Sequence, residues 1–171
     1  MSCVYQLQIL NNDYSSIKLV PQDSSISSIT YSENFDVKQF YTFFNNDIIN
    51  IQNDNFTLVS RTLPKKIIGI LELYSKYSFP GNKRGIPGYI FRSLDPKHPL
   101  FIVHSKIKKN KDKNQLISIK FTTWNKLDKF PKGELIDIFG EYNNLSSMEN
   151  ALIHLYQLDF KKMKVNNPIH I

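Results

Sequence analysis

Gln115-Leu-Ile-Ser-Ile-Lys-Phe-Thr122 and Phe130-Pro-Lys-Gly-Glu-Leu-Ile-Asp-Ile-Phe-Gly140 decide the fold. Both read as strands, and the first alternates with a period of two, the repeat of a strand with one face in a core. In the first, Ile117, Ile119 and Phe121 share one face, while Ser118, Lys120 and Thr122 share the other. The second opens on Pro131-Lys-Gly133 and closes at Gly140. Upstream, Ile67-Ile-Gly-Ile-Leu-Glu-Leu73 reads as a strand with Gly69 where backbone must bend or approach a neighbour closely. Pro80-Gly-Asn-Lys-Arg-Gly85 is a turn, and Gly88-Tyr-Ile-Phe-Arg-Ser-Leu94 is the returning strand. Asp95-Pro96 breaks that strand, and Phe101-Ile-Val-His104 follows as another.

Five short strands with glycines at the bends suit a five-stranded barrel of the oligonucleotide/oligosaccharide-binding (OB) kind over residues 61–141. Residues 1–60 read as a smaller, acidic β unit, a degenerate barrel. Its strands are Val4–Leu10 and Ser16–Val20, joined by Asn11-Asn12-Asp13, then Ile48–Ile51 and Phe56–Val59. Pro21 to Ser28 is a polar loop, and the spacing of Val37, Phe40, Tyr41 and Phe44 predicts a short helix or turn. After residue 142 the period changes. Ser146 and Glu149 form a capping box, and Met148, Ala151, Leu152, Leu155 and Leu158 follow helical spacing. The expectation is one amphipathic helix over 147–164, with Lys161, Lys162 and Lys164 at its cationic end.

Charge is segregated along the chain. Residues 61–140 carry 17 Lys and Arg against 6 Asp and Glu, whereas residues 1–60 carry 2 against 6. The net charge of +7 therefore hides a local field suited to a polyanion. The single cysteine, Cys3, cannot form an internal disulfide, which fits a reducing compartment. No apolar run reaches the roughly 18–20 residues of a bilayer span. A soluble, intracellular and cytoplasmic protein is expected.

Catalytic patterns are missing. The histidines (His98, His104, His154 and His170) and Cys3 lack metal-ligand spacing, and no GxSxG pattern is present. Gly81 to Gly88 is glycine-rich but leads into a strand and lacks the GK[ST] ending of a phosphate loop. No cofactor and no metal is implied. Nucleic-acid binding is the positive signal, because single strands are held by a basic groove and by aromatic faces on which bases stack. The candidate contact residues are Lys83 and Arg84 in the turn, Tyr89, Phe91 and Arg92 on the strand after it, Lys106, Lys108 and Lys109 in the lysine-rich loop, and Lys120 and Trp124 further on. Tyr89 and Phe91 face one way, toward either the core or a base. Trp124 reads equally as a packing residue, and the lysine loop as a solubilising surface.

Together these segments resemble the N-terminal, cold-shock-like region of the ribonuclease II/ribonuclease R exoribonucleases. Ile68-Gly-Ile-Leu-Glu-Leu73 is similar to the first strand of the cold-shock-like barrel, and Pro99-Leu-Phe-Ile-Val103 to a later one. Phe121-Thr-Thr-Trp124, followed by Phe130 to Gly140, resembles the family's W…P-x-G…G ending. Met148-Glu-Asn-Ala-Leu-Ile-His-Leu-Tyr156 is similar to the helix that follows the barrel. Phe44-Asn-Asn-Asp-Ile-Ile49 resembles a first-barrel motif with Asn46 where glycine is usual. The Asn, Lys and Ile bias gives the chain the flavour of a version carried by large cytoplasmic DNA viruses.

The resemblance implies a mainly β protein: a five-stranded OB/cold-shock-like barrel preceded by a smaller β unit and followed by one C-terminal α-helix and tail over 142–171. It implies a module binding single-stranded RNA (or single-stranded DNA), serving a ribonuclease catalytic domain in cis or in trans. The family's Mg²⁺-dependent 3′–5′ cleavage belongs to a further domain, so no catalytic residue carries over. The competing expectation is a protein-interaction adaptor that docks through the acidic half and the helix.

Overall fold

The computed structural model describes residues 3–11, 13–32, 40, 42–53, 55–74, 79–108 and 113–156. The first unit is one five-stranded sheet of β1 (Cys3–Ile9), β2 (Ser16–Pro21), β3 (Ile29–Ser32), β4 (Ile48–Gln52) and β5 (Asn55–Ser60). Both expected hairpins form, with Leu7 opposite Leu19 and Ile51 opposite Phe56. Strand β3 was not expected. At four residues, beside a serine-rich loop, Ile29-Thr-Tyr-Ser32 is too short for its alternation to show. Most of the short helix or turn expected around Val37 to Phe44 lies outside the described residues; the described part is a turn, in which the Phe43 amide donates to the Phe40 carbonyl at 3.1 Å.

The second unit is a closed barrel of β6 (Ile67–Leu71), β7 (Gly88–Ser93), β8 (Phe101–His104), β9 (Gln115–Thr123) and β10 (Lys132–Glu141). The strand orders β3-β2-β1-β4-β5 and β10-β8-β7-β6-β9 are the same permutation. The difference is the seam. Parallel pairing of Lys132 with Ile102 and Gly133 with Val103 closes the second unit, whereas β3 and β5 are the unjoined edges of the first. The first unit is thus the second barrel opened along one seam. Gly69 is where β6 and β7 touch: a Cβ there would lie 2.2 Å from the Arg92 carbonyl oxygen and 2.6 Å from the Phe91 ring.

The two units share one core. Leu7, Ile9, Ile17, Leu19 and Ile49 of the sheet join Phe91, Phe101, Val103, Ile117 and Ile119 of the barrel in one buried cluster. Phe44 bridges them, its ring centroid 6.0 Å from Phe101, 5.1 Å from Phe121 and 5.3 Å from Trp124. Beside it Asp47, only 1% exposed, accepts hydrogen bonds from Arg61 Nε at 3.1 Å, Arg61 Nη2 at 2.6 Å and the Phe44 amide at 2.8 Å. The Arg61 guanidinium also lies 4.7 Å from the Phe44 ring centroid. Arg61 therefore spends its charge inside the protein. It is the one cation of the basic segment that the acidic half neutralises among the ion pairs of the described residues.

Helix α1 (Leu145–Leu155) packs on β9 and β10. Its N-cap is Asn144, whose side chain accepts from the Ser147 amide, so the helix begins ahead of the expected Ser146 box. An asparagine caps as well as a serine, and here it is the one placed at the end of β10. The buried face also differs. Ser147 and Ala151 lie against the barrel beside Ile68 and Leu116, while Met148, Leu152 and Leu155 remain 41%, 43% and 41% exposed. Small side chains let the helix lie close on the strands, and the larger ones are turned to one flank. The expected continuation over 157–164 lies outside the described residues.

Candidate nucleic-acid interface

The turn before β7 is organised by Asn82. Its side-chain oxygen accepts from the amides of Arg84 at 2.9 Å and Ile86 at 3.2 Å, and its carbonyl accepts from Gly85 at 2.8 Å. This presents Lys83 and Arg84 at an exposed tip. Alternation then sorts β7 and β8. Tyr89, Phe91, Phe101 and Val103 point into the barrel, and Gly88, Ile90, Arg92, Ile102 and His104 point outward.

The outward face has a gap at Gly88, which pairs with His104 across the strands and with Phe79 on the other side. A Cβ at Gly88 would lie 3.1 Å from Phe79 Cβ, 3.1 Å from Ile102 Cγ2 and 3.3 Å from His104 Nε2. The missing side chain thus lets a phenyl ring and an imidazole settle over bare backbone. Phe79 in turn meets Phe130 edge-on at 6.2 Å, and Lys129 Nζ sits 5.3 Å from the Phe130 centroid. Phe79, Phe130 and His104 are all half-buried. Cations border the patch: Lys83 and Arg84 in the turn, Lys106 and Lys108 after β8, and Lys129 and Arg92 toward the other end.

The residues expected from sequence divide into three groups. Lys83, Arg84, Lys106 and Lys108 are exposed beside this face, and none of them pairs with an acidic group among the described residues. Arg92 is exposed there too but donates to Glu72 at 2.9 and 3.0 Å. Lys120 is exposed on β9, whose neighbours are β6 and β10, so the fold does not bring it to this face. Tyr89, Phe91 and Trp124 are corrected as stacking surfaces: they are 4%, 0% and 8% exposed. Barrel closure turns the first two inward, where the Tyr89 hydroxyl donates to the Ile107 carbonyl and Phe91 packs on Phe101. Trp124 fills the junction between the units and donates to the Asp128 carbonyl. Lys109 lies outside the described residues.

Sequence reading missed Phe79, Phe130 and His104. A signal existed for two of them, because Phe79-Pro80 and Phe130-Pro131 place an aromatic beside a proline at a strand boundary, outside any alternating pattern. Among the described residues no helix is long and apolar enough to cross a membrane.

A closed five-stranded barrel with this strand order defines an OB class of domain. Within that class, residues 88–157 match the family model of the Dis3-like cold-shock domain 2 (CSD2). Two solved structures share the fold. Yeast Ssd1, a pseudonuclease, aligns with a TM-score of 0.60 at 11% identity, over 89% of this chain and 24% of that protein. The apo form of Mycoplasma genitalium RNase R aligns with a TM-score of 0.52 at 12% identity, over 88% of this chain and 23% of that one. The chain thus spans about a quarter of each. No curated protein matches it in sequence. Over residues 88–157 the chain is similar to a Dis3-like cold-shock domain, and over most of its length it shares the fold of these two structures.

Proposed function

We propose that this chain binds single-stranded RNA along the outer face of β7 and β8 and presents it to a ribonuclease catalytic domain, in cis or in trans. The observation that carries this reading is the Phe79 and Phe130 ring pair beside Gly88 and His104, bordered by Lys83, Arg84, Lys106 and Lys108, which pair with no acidic group among the described residues. Each base stacked on such a ring contributes about 1–3 kcal/mol without sequence preference, while the lysines and arginines follow the phosphates. The role in this reading is capture and delivery. A cytoplasmic site of action fits the lone free thiol of Cys3.

Filter binding of a labelled oligoribonucleotide tests it. Phe79→Ala and Lys83→Glu/Arg84→Glu should each weaken binding, whereas Lys120→Glu, on another face, should leave it nearly unchanged. Absence of binding at low salt, or equal losses from all three changes, defeats the reading. An adaptor role is the second reading, favoured by the exposed Met148, Leu152 and Leu155 flank of α1. Under it, charge reversal at Lys83 and Arg84 would change nothing.

A further inference from the structure

A cavity of about 300 Å³ opens where the first sheet meets the barrel, beside the face just described. That volume is at the lower end of the range of small-molecule pockets, about 300–1,000 Å³. Tyr14 comes from the acidic unit and Trp124 from the barrel, and their rings meet edge to face at 5.9 Å. Leu100 adds an aliphatic wall, and Phe130 belongs to the cavity and to the Phe79 pair alike. Phe130 therefore links the cavity to the Phe79 side of the barrel.

Two further features mark it as built. Tyr14 is held at φ 65°, a left-handed conformation that is an outlier for so bulky a residue. Such strain gathers at ligand sites and persists where the surroundings over-determine it. Here the Tyr14 hydroxyl donates to the Phe43 carbonyl at 2.8 Å and its ring is packed on Trp124. The polar groups are also sorted by charge. Arg92 and Lys129 supply cations for a phosphate, and Asp13 supplies the one carboxylate lining the cavity. Asp13 Oδ1 already accepts the Ser15 amide at 2.9 Å. Hydrogen bonds from Ser15 hold its carboxyl below the usual range, which keeps it an ionised acceptor.

We propose that this cavity receives one unpaired base of the bound strand, and that Asp13 favours a base with an exocyclic amino group over uracil. Phe130 and Leu100, both partly exposed, take the base faces over the buried Tyr14 and Trp124 rings, the carboxylate accepts the amino hydrogen, and Lys129, with the Glu72-bound Arg92 beside it, holds the flanking phosphate. The inference rests on the single-strand reading above. It adds that the junction between the two units, rather than the barrel alone, sets register on the RNA.

The test uses the full chain and a set of end-labelled oligoribonucleotides carrying 2-aminopurine at successive positions. Anisotropy of the end label reports binding, and 2-aminopurine fluorescence reports where a base is enclosed. One position should be quenched and shielded from acrylamide well beyond its neighbours. Leu100→Trp, or the smaller Leu100→Phe if the first unfolds, should fill the cavity, abolish that single-position signal and weaken binding about fivefold, the loss of one stacked base. Uridine at that position should bind several-fold more weakly than adenosine, and Asp13→Ala should erase the difference. Tight binding with uniform fluorescence along the strand overturns the pocket and leaves the interface standing. A quenched position that survives both Leu100 variants, or no preference against uridine, also overturns it. Failure of the wild-type chain to bind any oligonucleotide overturns both readings.

Discussion

Replacing Asp47 with alanine should loosen the two β units from each other. The side chain is buried, and its carboxylate takes Arg61 Nε at 3.1 Å on each oxygen, Arg61 Nη2 at 2.6 Å and the Phe44 amide at 2.8 Å. Arg61 keeps a bond to the Thr42 carbonyl at 2.6 Å and its place over Phe44. Removing one partner of a buried ion pair costs about 3–5 kcal/mol, because a charge is left behind without its counter-ion. The Arg61 side chain is 20% exposed, so water reaches it and the lower part of that range applies. The Phe44 amide, left without an acceptor, adds about 1–3 kcal/mol. A combined loss of about 4 kcal/mol is therefore expected, a large share of the roughly 5–15 kcal/mol that holds a domain folded. Urea titration is the suitable assay, since guanidinium chloride would screen the pair under study. Trp124, the only tryptophan, stands 5.3 Å from Phe44 and reports the junction by its fluorescence. Asp47→Asn should fall between wild type and Asp47→Ala. In an Arg61→Met background the Asp47→Ala loss should shrink by at least half, because the orphaned charge is gone. A loss under about 1 kcal/mol, the scale of an exposed ion pair, or strict additivity with Arg61→Met, would refute this account of the junction.

Gly69→Ala places a methyl group 2.2 Å from the Arg92 carbonyl oxygen; it should cost about 1–3 kcal/mol, seen as a lower midpoint in thermal circular dichroism. Gly88→Val should push Phe79 and His104 apart, lowering oligonucleotide affinity more than it lowers stability, as filter binding and thermal melts on one preparation would show. Across a salt series the dissociation constant should rise steeply. Neutralising about five phosphates implies a log–log slope of association near −3.5, and a flat response would deny the cations their role. Burial holds the His98 imidazole below its ordinary range against the raising effect of Asp95. The unfolded chain thus takes up a proton at about pH 6.5 that the folded one resists, so stability is full above that pH and declines as pH falls through it. His98→Gln should flatten the dependence of the urea midpoint on pH between about 5 and 7.

How much of the interface was legible depends on which interactions are local. Lys83 and Arg84 were readable because a Pro-Gly-Asn…Gly turn puts its central residues at a tip, whatever surrounds it. Tyr89 and Phe91 were half readable: a two-residue spacing shows that they share a side and leaves open which side. Phe79 and Phe130 lie far apart in sequence and meet through the pairing of Phe79 with Gly88 and of β10 with β8. Their prolines were the only local trace. The helix carries the same lesson. Its 3.6-residue repeat announced an apolar stripe, but contact with β9 and β10 selected Ser147 and Ala151, because only small side chains permit that approach.

What the sequence by itself determined is the set of strands, the glycines at which backbones touch, and the gathering of positive charge downstream of residue 60. These depend on alternation, turn chemistry and composition, which act between neighbours. Only the tertiary structure decided that the first unit is the second one left open, that Arg61 is consumed by Asp47, and that Phe79 meets Phe130 while His104 lies beside Gly88. Burial is settled when distant strands close on each other, and until that closure every alternating strand has two equivalent faces.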